Sequence, residues 1–503
     1  MKKGILISVA AATVFLLYFP VLGNGFLTDD YAALYRLLIQ KRVLFEEMVR
    51  PLIDISFYFN YLLSGLHPLG YYLFNFFVHA LACFMVYQVA LDLPVFSARK
   101  QRAFAMTAGL LFLFYPFHNE GVVWLSGRLS SMAALCGLLA IHFVLTKRRP
   151  WNLVLGVLCW WSGLFAYESI LVLPAVAFLL EWITFRDVRR GLLSLGVWVA
   201  AGIGWLGMRY AVSGELLPAY GQSGLAGDAV WLRAAKVIGR CFLPPDENSR
   251  QMEWLFAGVL VLLVAVHVLV WVRLRRGGGD RRGVEQPMGL DERGGRGFAR
   301  AGSGQMRPGW SLALIEGGFL LALLPAVAFE VSTRTSEGDR LLYFPSCMLS
   351  ILAAAVLMTL VTRWRVRWLL LGLYALAGAL FIESNNRNWV FASHTAEAGL
   401  DLLRRTPGRV VLVNIPDEWE GAYIFRNSFN EGLTVNGIDS NRVKVTHFLT
   451  RLEYLRAPQN RLSPVRKDGS IYIYPSTRIG DDAGGAKVFY WDMSGWKELH
   501  LGY

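Results

Sequence analysis

Residues 1–23, MKKGILISVAAATVFLLYFPVLG, decide the broad class of this fold. The run stays apolar for the roughly 20 residues that a helix needs to cross a bilayer. Because no clean small-residue cleavage site follows it, we interpret the run as a retained first membrane helix rather than a signal peptide. Lys2 and Lys3 then place its N-terminus on the cytoplasmic side.

The composition of the whole chain supports the same class. Of its 503 residues, 55% are hydrophobic and only 17% are charged, whereas a soluble protein carries about 25% charged residues. Apolar runs predict eleven membrane-spanning segments, near residues 4–23, 70–91, 103–117, 129–146, 152–166, 169–185, 191–208, 254–272, 311–329, 342–361 and 367–384. We therefore predict a mainly α fold, a polytopic membrane helix bundle.

Basic residues fall in alternate gaps between these segments, which indicates the orientation. The gaps that contain them hold Lys2 and Lys3; Arg99, Lys100 and Arg102; Lys147, Arg148 and Arg149; Arg186, Arg189 and Arg190; the run 273–307; and Arg363, Arg365 and Arg367. This alternation predicts that these gaps are cytoplasmic. It also accounts for the formal net charge of +13, so we expect membrane lipids rather than nucleic acid as partners of the basic loops.

The chain divides into a membrane domain and a soluble domain. Residues 1–384 form the predicted membrane domain, with a first outer loop at 24–69 and a flexible basic cytoplasmic loop at 273–310. From 385 to 503, GRVVLVNIP, RVKVTHFL, SIYIYPS and KVFYWDM are typical of short strands, and ASHTAEAGLDLLRR is typical of an amphipathic helix. We predict a small extracytoplasmic α/β domain. The basic loops and the compact tail favour a bacterial inner membrane, which would place this domain in the periplasm; an archaeal or reticulum membrane is the alternative.

Polar residues gather on the predicted outer face from loops that are far apart in sequence. Asp29 and Asp30 lie side by side in GNGFLTDDYAALY (23–35), just after the first span. Neighbouring carboxylates repel each other and are costly where desolvation begins, so a functional role explains them best. The other candidates are carboxylates, cations, a histidine and a tyrosine: Arg50, His118, Glu120, Arg128, Glu168, Arg340 and Tyr343. Such a set can grip an anionic headgroup and perform acid–base chemistry, or it can be solvated loop charge with a few salt bridges.

Several of these residues have a structural alternative. Arg128 and Arg340 stand at the outer starts of spans, where arginine either clamps a lipid phosphate or snorkels to the interface. His118 can be a base, a metal ligand or a hydrogen-bonding residue at a helix end, and the sequence favours the last. Asn75 and His79 are four residues apart in one span, which favours an interhelical hydrogen-bonding pair over a catalytic one.

Three segments carry a family resemblance. They are VRPLIDISFYFNYLLSGLHPLGYYLFNFFVHAL (49–81), FYPFHNEGVVWLSGR (114–128) and DRLLYFPS (339–346). In that order they resemble segments of the transmembrane tetratricopeptide-repeat O-mannosyltransferases and their bacterial relatives. TDD (28–30) is similar to the acidic motif in the first outer loop of the wider GT-C glycosyltransferases. The resemblance covers roughly residues 20–360 and implies a GT-C fold.

The resemblance implies a reaction and roles for the candidate residues. Members of that superfamily move a sugar from a polyprenyl- or dolichyl-phosphate carrier to an acceptor on the outer or lumenal face, with inversion at the anomeric carbon. Asp29 then takes the position of the general base, and Asp30 that of an orienting residue or metal contact. The donor and substrate contacts would come from the remaining candidates: Arg50, His118, Glu120, Arg128, Glu168, Arg340 and Tyr343. Metal dependence stays open, with Mg²⁺ or Mn²⁺ as the candidate divalent cation.

The sequence also departs from the family and leaves other functions open. An α/β domain follows the bundle where the family has a tetratricopeptide array, so the acceptor can be a protein, a lipid or a glycan. A polysaccharide ligase is an alternative enzyme, although it predicts a longer outer loop between late spans. A lipid or glycan transporter predicts ionisable residues near the bilayer midplane, whereas here they gather at one face. A purely structural assembly protein is the remaining alternative.

Overall fold

The computed structural model describes residues 3–44, 48–146, 149–216, 230–246, 248–277, 308–329, 331–457, 465–467, 470–473, 477–479 and 485–499. The predicted flexible basic loop therefore lies outside the described residues between 278 and 307. Within the described part, eight helices are long and apolar enough to cross a membrane. The protein is an integral membrane protein.

Helices dominate the first four hundred residues. In chain order they are α1 (Lys3–Tyr18), α2 (Asp29–Tyr35), α3 (Pro51–Ser64), α4 (Pro68–Asp92), α5 (Ala98–Leu113), α6 (Asn119–Val122), α7 (Arg128–Thr146), α8 (Pro150–Leu164), α9 (Leu173–Phe185), α10 (Val188–Ser213), α11 (Val230–Arg240), α12 (Ser249–Gly277), α13 (Pro308–Phe329), α14 (Tyr343–Leu360) and α15 (Trp364–Arg405). Short turns of 3-10 helix lie at Phe19–Gly23, Glu168–Ile170 and Asp339–Leu342. The predicted mainly α bundle is confirmed.

Each of the eleven predicted spans coincides with a helix, but three of these helices are short. Helices α5, α8 and α9 have 16, 15 and 13 residues, fewer than the roughly 20 that span a hydrocarbon core. The eight long spans are α1 with the turn after it, α4, α7, α10, α12, α13, α14 and α15. Proline opens α3, α4 and α8, the first-turn position where its missing N–H removes no helical hydrogen bond.

Helix α15 joins the bundle to the C-terminal domain without a break. It has 42 residues, about 60 Å at 1.5 Å per residue, twice the hydrocarbon thickness of a bilayer. The apolar span predicted at 367–384 and the amphipathic helix predicted at 392–405 are therefore one helix. The predicted domain boundary at residue 384 falls inside this helix.

The C-terminal domain contains the predicted strands. Its main sheet has the order β11-β10-β1-β5, with β1 (Val410–Val413) parallel to both β5 (Val443–Val445) and β10 (Lys487–Trp491), and β11 (Trp496–Leu499) antiparallel to β10. Smaller sheets pair β2 (Ile415–Pro416) with β6 (Phe448–Leu449), β3 (Glu418–Trp419) with β4 (Ala422–Tyr423), and β7 (Val465–Lys467), β8 (Ser470–Ile473) and β9 (Thr477–Ile479) with one another. Two short helices, α16 (Phe429–Val435) and α17 (Arg451–Arg456), complete it.

The C-terminal domain packs on the bundle end that carries the first acidic loop. One apolar core runs from the membrane helices into the domain, where it includes Leu412, Tyr423 and Leu433. Helix α16 lies against α2. The hairpin of β3 and β4 reaches the segment before α14, since Ser336 donates its backbone N–H to the carbonyl of Glu420 at 3.4 Å. The packing thus brings a soluble domain onto the polar end of the bundle.

Candidate active site

The acidic pair opens helix α2 directly after a strained residue. Thr28 caps α2 with φ 41° and ψ −115°, a conformation outside the regions that a β-branched residue favours. Asp29 and Asp30 form the first turn of the helix, where the helix dipole favours negative charge. Backbone strain of this kind persists only where surrounding contacts impose it.

The carboxylate of Asp30 is buried and accepts hydrogen bonds that stabilise the local structure. Its side chain is 1% exposed. One carboxylate oxygen accepts hydrogen bonds from the Ser126 backbone N–H at 2.8 Å and hydroxyl at 2.7 Å, and the other accepts from the Leu27 N–H at 3.0 Å. Burial nevertheless raises the pKa of Asp30 to about 7, although these hydrogen bonds and the charge of Arg128 oppose the increase. Asp30 thus ties the predicted first outer loop to the segment before α7.

Asp29 has a different environment and keeps its carboxylate available. It is partly exposed, and it forms no ion pair with the residues that the structure describes. Burial raises the pKa of its carboxyl above the ordinary value, and a hydrogen bond from the Asn427 side chain opposes the increase. The positive charges of Arg340, Arg426 and Arg36 also oppose the increase in its pKa. An accessible carboxylate that is free of ion pairs among the described residues can accept a proton from a bound hydroxyl.

Arg340 is held by groups from the bundle and from the C-terminal domain. Its guanidinium pairs with the carboxylate of Glu120, whose other oxygen accepts from the Arg340 backbone N–H at 2.9 Å. The hydroxyl of Tyr423 donates to Glu120 at 2.9 Å and accepts from the Arg340 guanidinium at 3.0 Å. Trp124 lies under the guanidinium, 5.4 Å from ring centroid to Cζ. Arg340 therefore keeps a fixed position while 22% of its side chain stays exposed.

Arg340 also lines a cavity of about 260 Å³ at this end of the bundle. The other lining residues are Tyr167, Phe329, Ser332, Glu337, Gly338 and Leu341. Glu337 accepts a hydrogen bond from Arg426 at 2.5 Å, so a cation of the C-terminal domain borders the same space. Aromatic and apolar walls with a few charged groups are typical of a site that binds a small molecule.

Glu168 and Arg50 form a buried bridge at one side of the cavity. The Glu168 carboxylate accepts from Arg50 at 2.9 Å and from Arg209 of α10 at 2.6 Å. Arg50 lies over the ring of Tyr167, 5.0 Å from its centroid, and Tyr167 lines the cavity. The bridge joins the predicted first outer loop to the Glu168 turn and α10. The predicted substrate contacts of Arg50 and Glu168 stay predictions.

Arg128 is enclosed in the bundle. It is fully buried, and it donates to the Leu125 carbonyl at 2.9 Å and to the Asn60 side chain at 2.5 Å. Its guanidinium also lies over the ring of Phe57, 4.5 Å from the centroid. Arg128 is not among the described residues that line the cavity. Its predicted phosphate contact stays a prediction.

His118 and Tyr343 are also enclosed. A ring nitrogen of His118 forms a hydrogen bond with the Ser346 hydroxyl at 2.8 Å, which agrees with the structural alternative for this histidine. The Tyr343 hydroxyl forms a hydrogen bond with His79 at 2.6 Å. Asn75 donates to the carbonyl of Val122 at 3.0 Å, so Asn75 and His79 each contact another segment rather than each other. The substrate contacts predicted for His118 and Tyr343 remain untested.

The sequence analysis missed the residues that the C-terminal domain contributes. Tyr423, Arg426 and Asn427 lie in the segment AYIFRNS (422–428), which comprises β4 and the residues that lead to α16. No periodic pattern marks this segment as functional. Arg36 was also missed; it forms an ion pair with Asp54 at 3.1 Å. The polar and aromatic residues of this segment were the available signal. Because the segment is about 400 residues from Asp29 in the sequence, the sequence did not predict that the two would lie close together.

The described residues do not fit a divalent cation at the acidic pair. They contain no group of three His, Cys, Asp or Glu side chains that could hold a metal ion. Both Asp30 oxygens already accept hydrogen bonds, which leaves Asp29 alone among the pair as a ligand. A lone carboxylate beside guanidinium groups is a poor cation site. Metal dependence, with Mg²⁺ or Mn²⁺ as the candidate cation, was left open by the sequence and stays untested, although these residues do not favour it.

Comparison with known proteins gives partial matches, and no family model matches the chain. The protein O-mannosyl-transferase Tmtc1 of Drosophila melanogaster is 41% identical over 91 residues, 18% of this chain and 10% of that protein. A protein O-mannosyl-transferase of Caenorhabditis elegans is 26% identical over 160 residues, 32% of this chain and 22% of that protein. The chain thus spans 10% and 22% of the length of these two relatives.

A solved structure is similar over most of the chain. The crystal structure of ArnT from Cupriavidus metallidurans bound to undecaprenyl phosphate covers 88% of this chain and 90% of its own, with a TM-score of 0.49 and 14% sequence identity. The proteins that match in sequence are protein O-mannosyl-transferases, the family that the sequence analysis predicted. The resemblance of this chain to the transmembrane tetratricopeptide-repeat O-mannosyltransferases is therefore confirmed over part of its length.

Proposed function

We propose that the protein is an integral-membrane GT-C glycosyltransferase that moves a sugar from a polyprenyl-phosphate carrier to an acceptor hydroxyl. The observation that carries this proposal is the environment of Asp29. Its carboxylate is partly exposed, free of ion pairs within the described residues, and influenced by the charges of Arg340, Arg426 and Arg36. The similarity to protein O-mannosyl-transferases supports the reaction class.

The mechanism follows from the chemistry of the two substrates. An acceptor hydroxyl is a weak nucleophile until a base removes its proton, and the Asp29 carboxylate takes that proton as the hydroxyl oxygen attacks the anomeric carbon. The bond from the anomeric carbon to the phosphate oxygen breaks in the same step, and the configuration at that carbon inverts. The electron pair of the broken bond stays on the phosphate, which leaves on its polyprenyl chain.

Arginine side chains stabilise the leaving phosphate. Arg340 keeps part of its guanidinium exposed to the cavity, and Arg426 borders the same space. Guanidinium groups stay charged and match phosphate geometry, so they neutralise the negative charge that grows as the sugar leaves. The cavity lies where the membrane bundle meets the soluble domain, which lets the polyprenyl chain remain in the bilayer while its headgroup reacts. The basic-residue pattern supports an outer-face site.

A transfer assay tests the proposal. The purified full chain in lipid would receive radiolabelled polyprenyl-phosphate sugars one at a time, with peptide, lipid and glycan acceptors. We expect label to move from the lipid phase to one acceptor class, with release of polyprenyl phosphate. Flipping of the intact donor between leaflets without any transfer would contradict the proposal and support the transporter alternative.

A further inference from the structure

Helix α3 exposes an apolar face and buries its polar one. Its exposed residues are Ile55, Tyr58, Phe59, Leu62 and Leu63, whose exposed fractions lie between 39% and 68%. These positions follow the i, i+3, i+4, i+7, i+8 spacing of one helical face, and we call them the apolar stripe. Over its whole described length, α3 exposes no charged side chain. A surface helix of a soluble protein shows the reverse arrangement, with its polar face towards water.

The opposite face of α3 carries polar residues that bind other groups in the bundle. Asp54 forms an ion pair with Arg36 at 3.1 Å. The guanidinium of Arg128 donates to the Asn60 side chain at 2.5 Å and to the Ser56 hydroxyl at 3.3 Å. These contacts fix the rotation of α3 about its own axis, so the apolar stripe cannot turn inward without breaking them.

The apolar surface continues from α3 into a membrane-spanning helix. Leu66 in the turn after α3 is exposed, and so are Leu69, Leu73 and Phe77 of α4. Helix α4 is long and apolar enough to cross a membrane, so its exposed apolar side chains face lipid. Helix α3 has 14 residues, about 21 Å, too short for the roughly 30 Å of the hydrocarbon core. A short helix with a continuous apolar face is typical of one that lies in a single leaflet.

The C-terminal domain provides a contrast within the same chain. Among its described residues after α15, the exposed large hydrophobic side chains are Phe448 of β6 and Leu455 of α17. Exposed apolar residues that are scattered in this way need no partner, whereas a continuous apolar face does. The apolar stripe of α3 carries no exposed charge and leads into a lipid-facing span. Bilayer lipid, rather than another protein, is therefore the partner that fits it.

We propose that α3 is embedded in one leaflet of the bilayer, at the end of the bundle that carries the candidate site, with its apolar stripe against phospholipid acyl chains. The predicted first outer loop, residues 24–69, is then not wholly aqueous. Leu52 donates its backbone N–H to the carbonyl of Phe165 at 3.2 Å, two residues before Tyr167 of the cavity wall. The embedded helix thus holds that wall beside the lipid. This inference does not depend on sugar transfer.

Photo-crosslinking in a bilayer tests the contact. The full chain would be prepared as Phe59→Bpa, Phe77→Bpa and Phe448→Bpa, where Bpa is the photoreactive p-benzoylphenylalanine. In nanodiscs of phosphatidylcholine and phosphatidylglycerol, irradiation followed by mass spectrometry measures the phospholipid adducts of each variant. We expect adducts at Phe59 to match those at Phe77 and to exceed those at Phe448 on the order of 10-fold. Adducts at Phe59 as few as at Phe448, or crosslinks from Phe59 to a second copy instead of lipid, would overturn the proposal.

A second measurement uses the unaltered protein. Hydroxyl radicals generated in water oxidise the aromatic side chains that water reaches. Phe59 is 50% exposed on the protein surface and Phe448 is 40% exposed, so surface exposure alone predicts faster oxidation of Phe59. Because the bilayer covers α3 in our proposal, Phe59 in the same nanodiscs should be oxidised on the order of 10-fold more slowly than Phe448. Oxidation of Phe59 at least as fast as that of Phe448 would overturn the proposal.

Discussion

Asp29 and Asp30 are neighbours in sequence, yet their carboxylates meet different surroundings. Asp30 accepts hydrogen bonds from Ser126 and Leu27 and is buried. Asp29 is partly exposed and interacts with cations and with Asn427. The sequence predicts a functional role for the pair, because adjacent carboxylates beside a membrane are costly, and that role stays a prediction. It could not divide the roles, since both residues open the same helix and only tertiary contacts distinguish them.

Asp30→Asn should weaken the folded protein more than it alters the chemistry. The amide would direct an N–H group at the donor of Leu27 or Ser126, so a buried hydrogen bond is lost and two donors face each other. We expect a loss of about 1–3 kcal/mol in the free energy of unfolding. Thermal unfolding in detergent measures it. Unchanged stability in this variant would contradict the structural role of Asp30.

The pH dependence of transfer should reflect the raised pKa of Asp29. Burial holds this pKa above the ordinary carboxyl value, and the base must be ionised, so kcat/KM should fall as the pH decreases through a value above about 4. Arg426→Gln removes a positive charge that favours the carboxylate. Its acidic limb should therefore move to higher pH. A limb that stays in place or moves to lower pH would contradict this assignment.

At the scale of elements, the apolar pattern predicted every membrane helix, but not every length. Helices α5, α8 and α9 are too short to cross a bilayer alone. The apolar pattern locates an apolar segment, but the residues at which its helix begins and ends depend on tertiary contacts. The pattern also divided α15 into two helices. Its apolar half and its amphipathic half have different periodicity, and sequence alone did not show that the backbone continues through both.

The bridge of Glu168 to Arg50 and Arg209 should stabilise the predicted first outer loop. In Glu168→Gln, the Arg209 guanidinium would remain buried without its carboxylate. We expect destabilisation of about 3–5 kcal/mol, the usual effect of removing one partner from a buried ion pair. Glu383→Gln is the control, because Glu383 pairs with Arg387 on an exposed helix surface and should cost at most about 1 kcal/mol. Equal unfolding temperatures for the two variants would contradict the role of the bridge.

At the scale of the whole molecule, the C-terminal domain contributes residues to the candidate site at one end of the helix bundle. Tyr423 shares Glu120 with Arg340, and Asn427 contacts the acidic loop. The sequence predicted the strands of this domain from their alternating and β-branched residues. It could not predict the docking, because the contacts join residues about 300 to 400 positions apart and depend on the shape of both domains.

Gly421→Ala should displace this domain and reduce transfer. Gly421 has φ +85°, and a Cβ there would lie 2.7 Å from the backbone nitrogen of Ser336, too close for either backbone to keep its place. Gly437→Ala is matched for strain, since Gly437 has φ +71° but open space around it. We expect transfer to fall on the order of 100-fold in Gly421→Ala and much less in Gly437→Ala. Similar transfer rates in both variants would show that docking at this hairpin is dispensable.

The most direct test of the account is single-turnover transfer by Asp29→Asn in lipid, with donor binding measured on the same sample. The carboxamide keeps the size of the side chain but cannot accept the proton. We expect donor binding to persist, unfolding to match the wild type, and the rate of transfer to fall by about 10²–10⁴-fold. A folded Asp29→Asn variant that transfers sugar at the wild-type rate would contradict the assignment of Asp29 as the base.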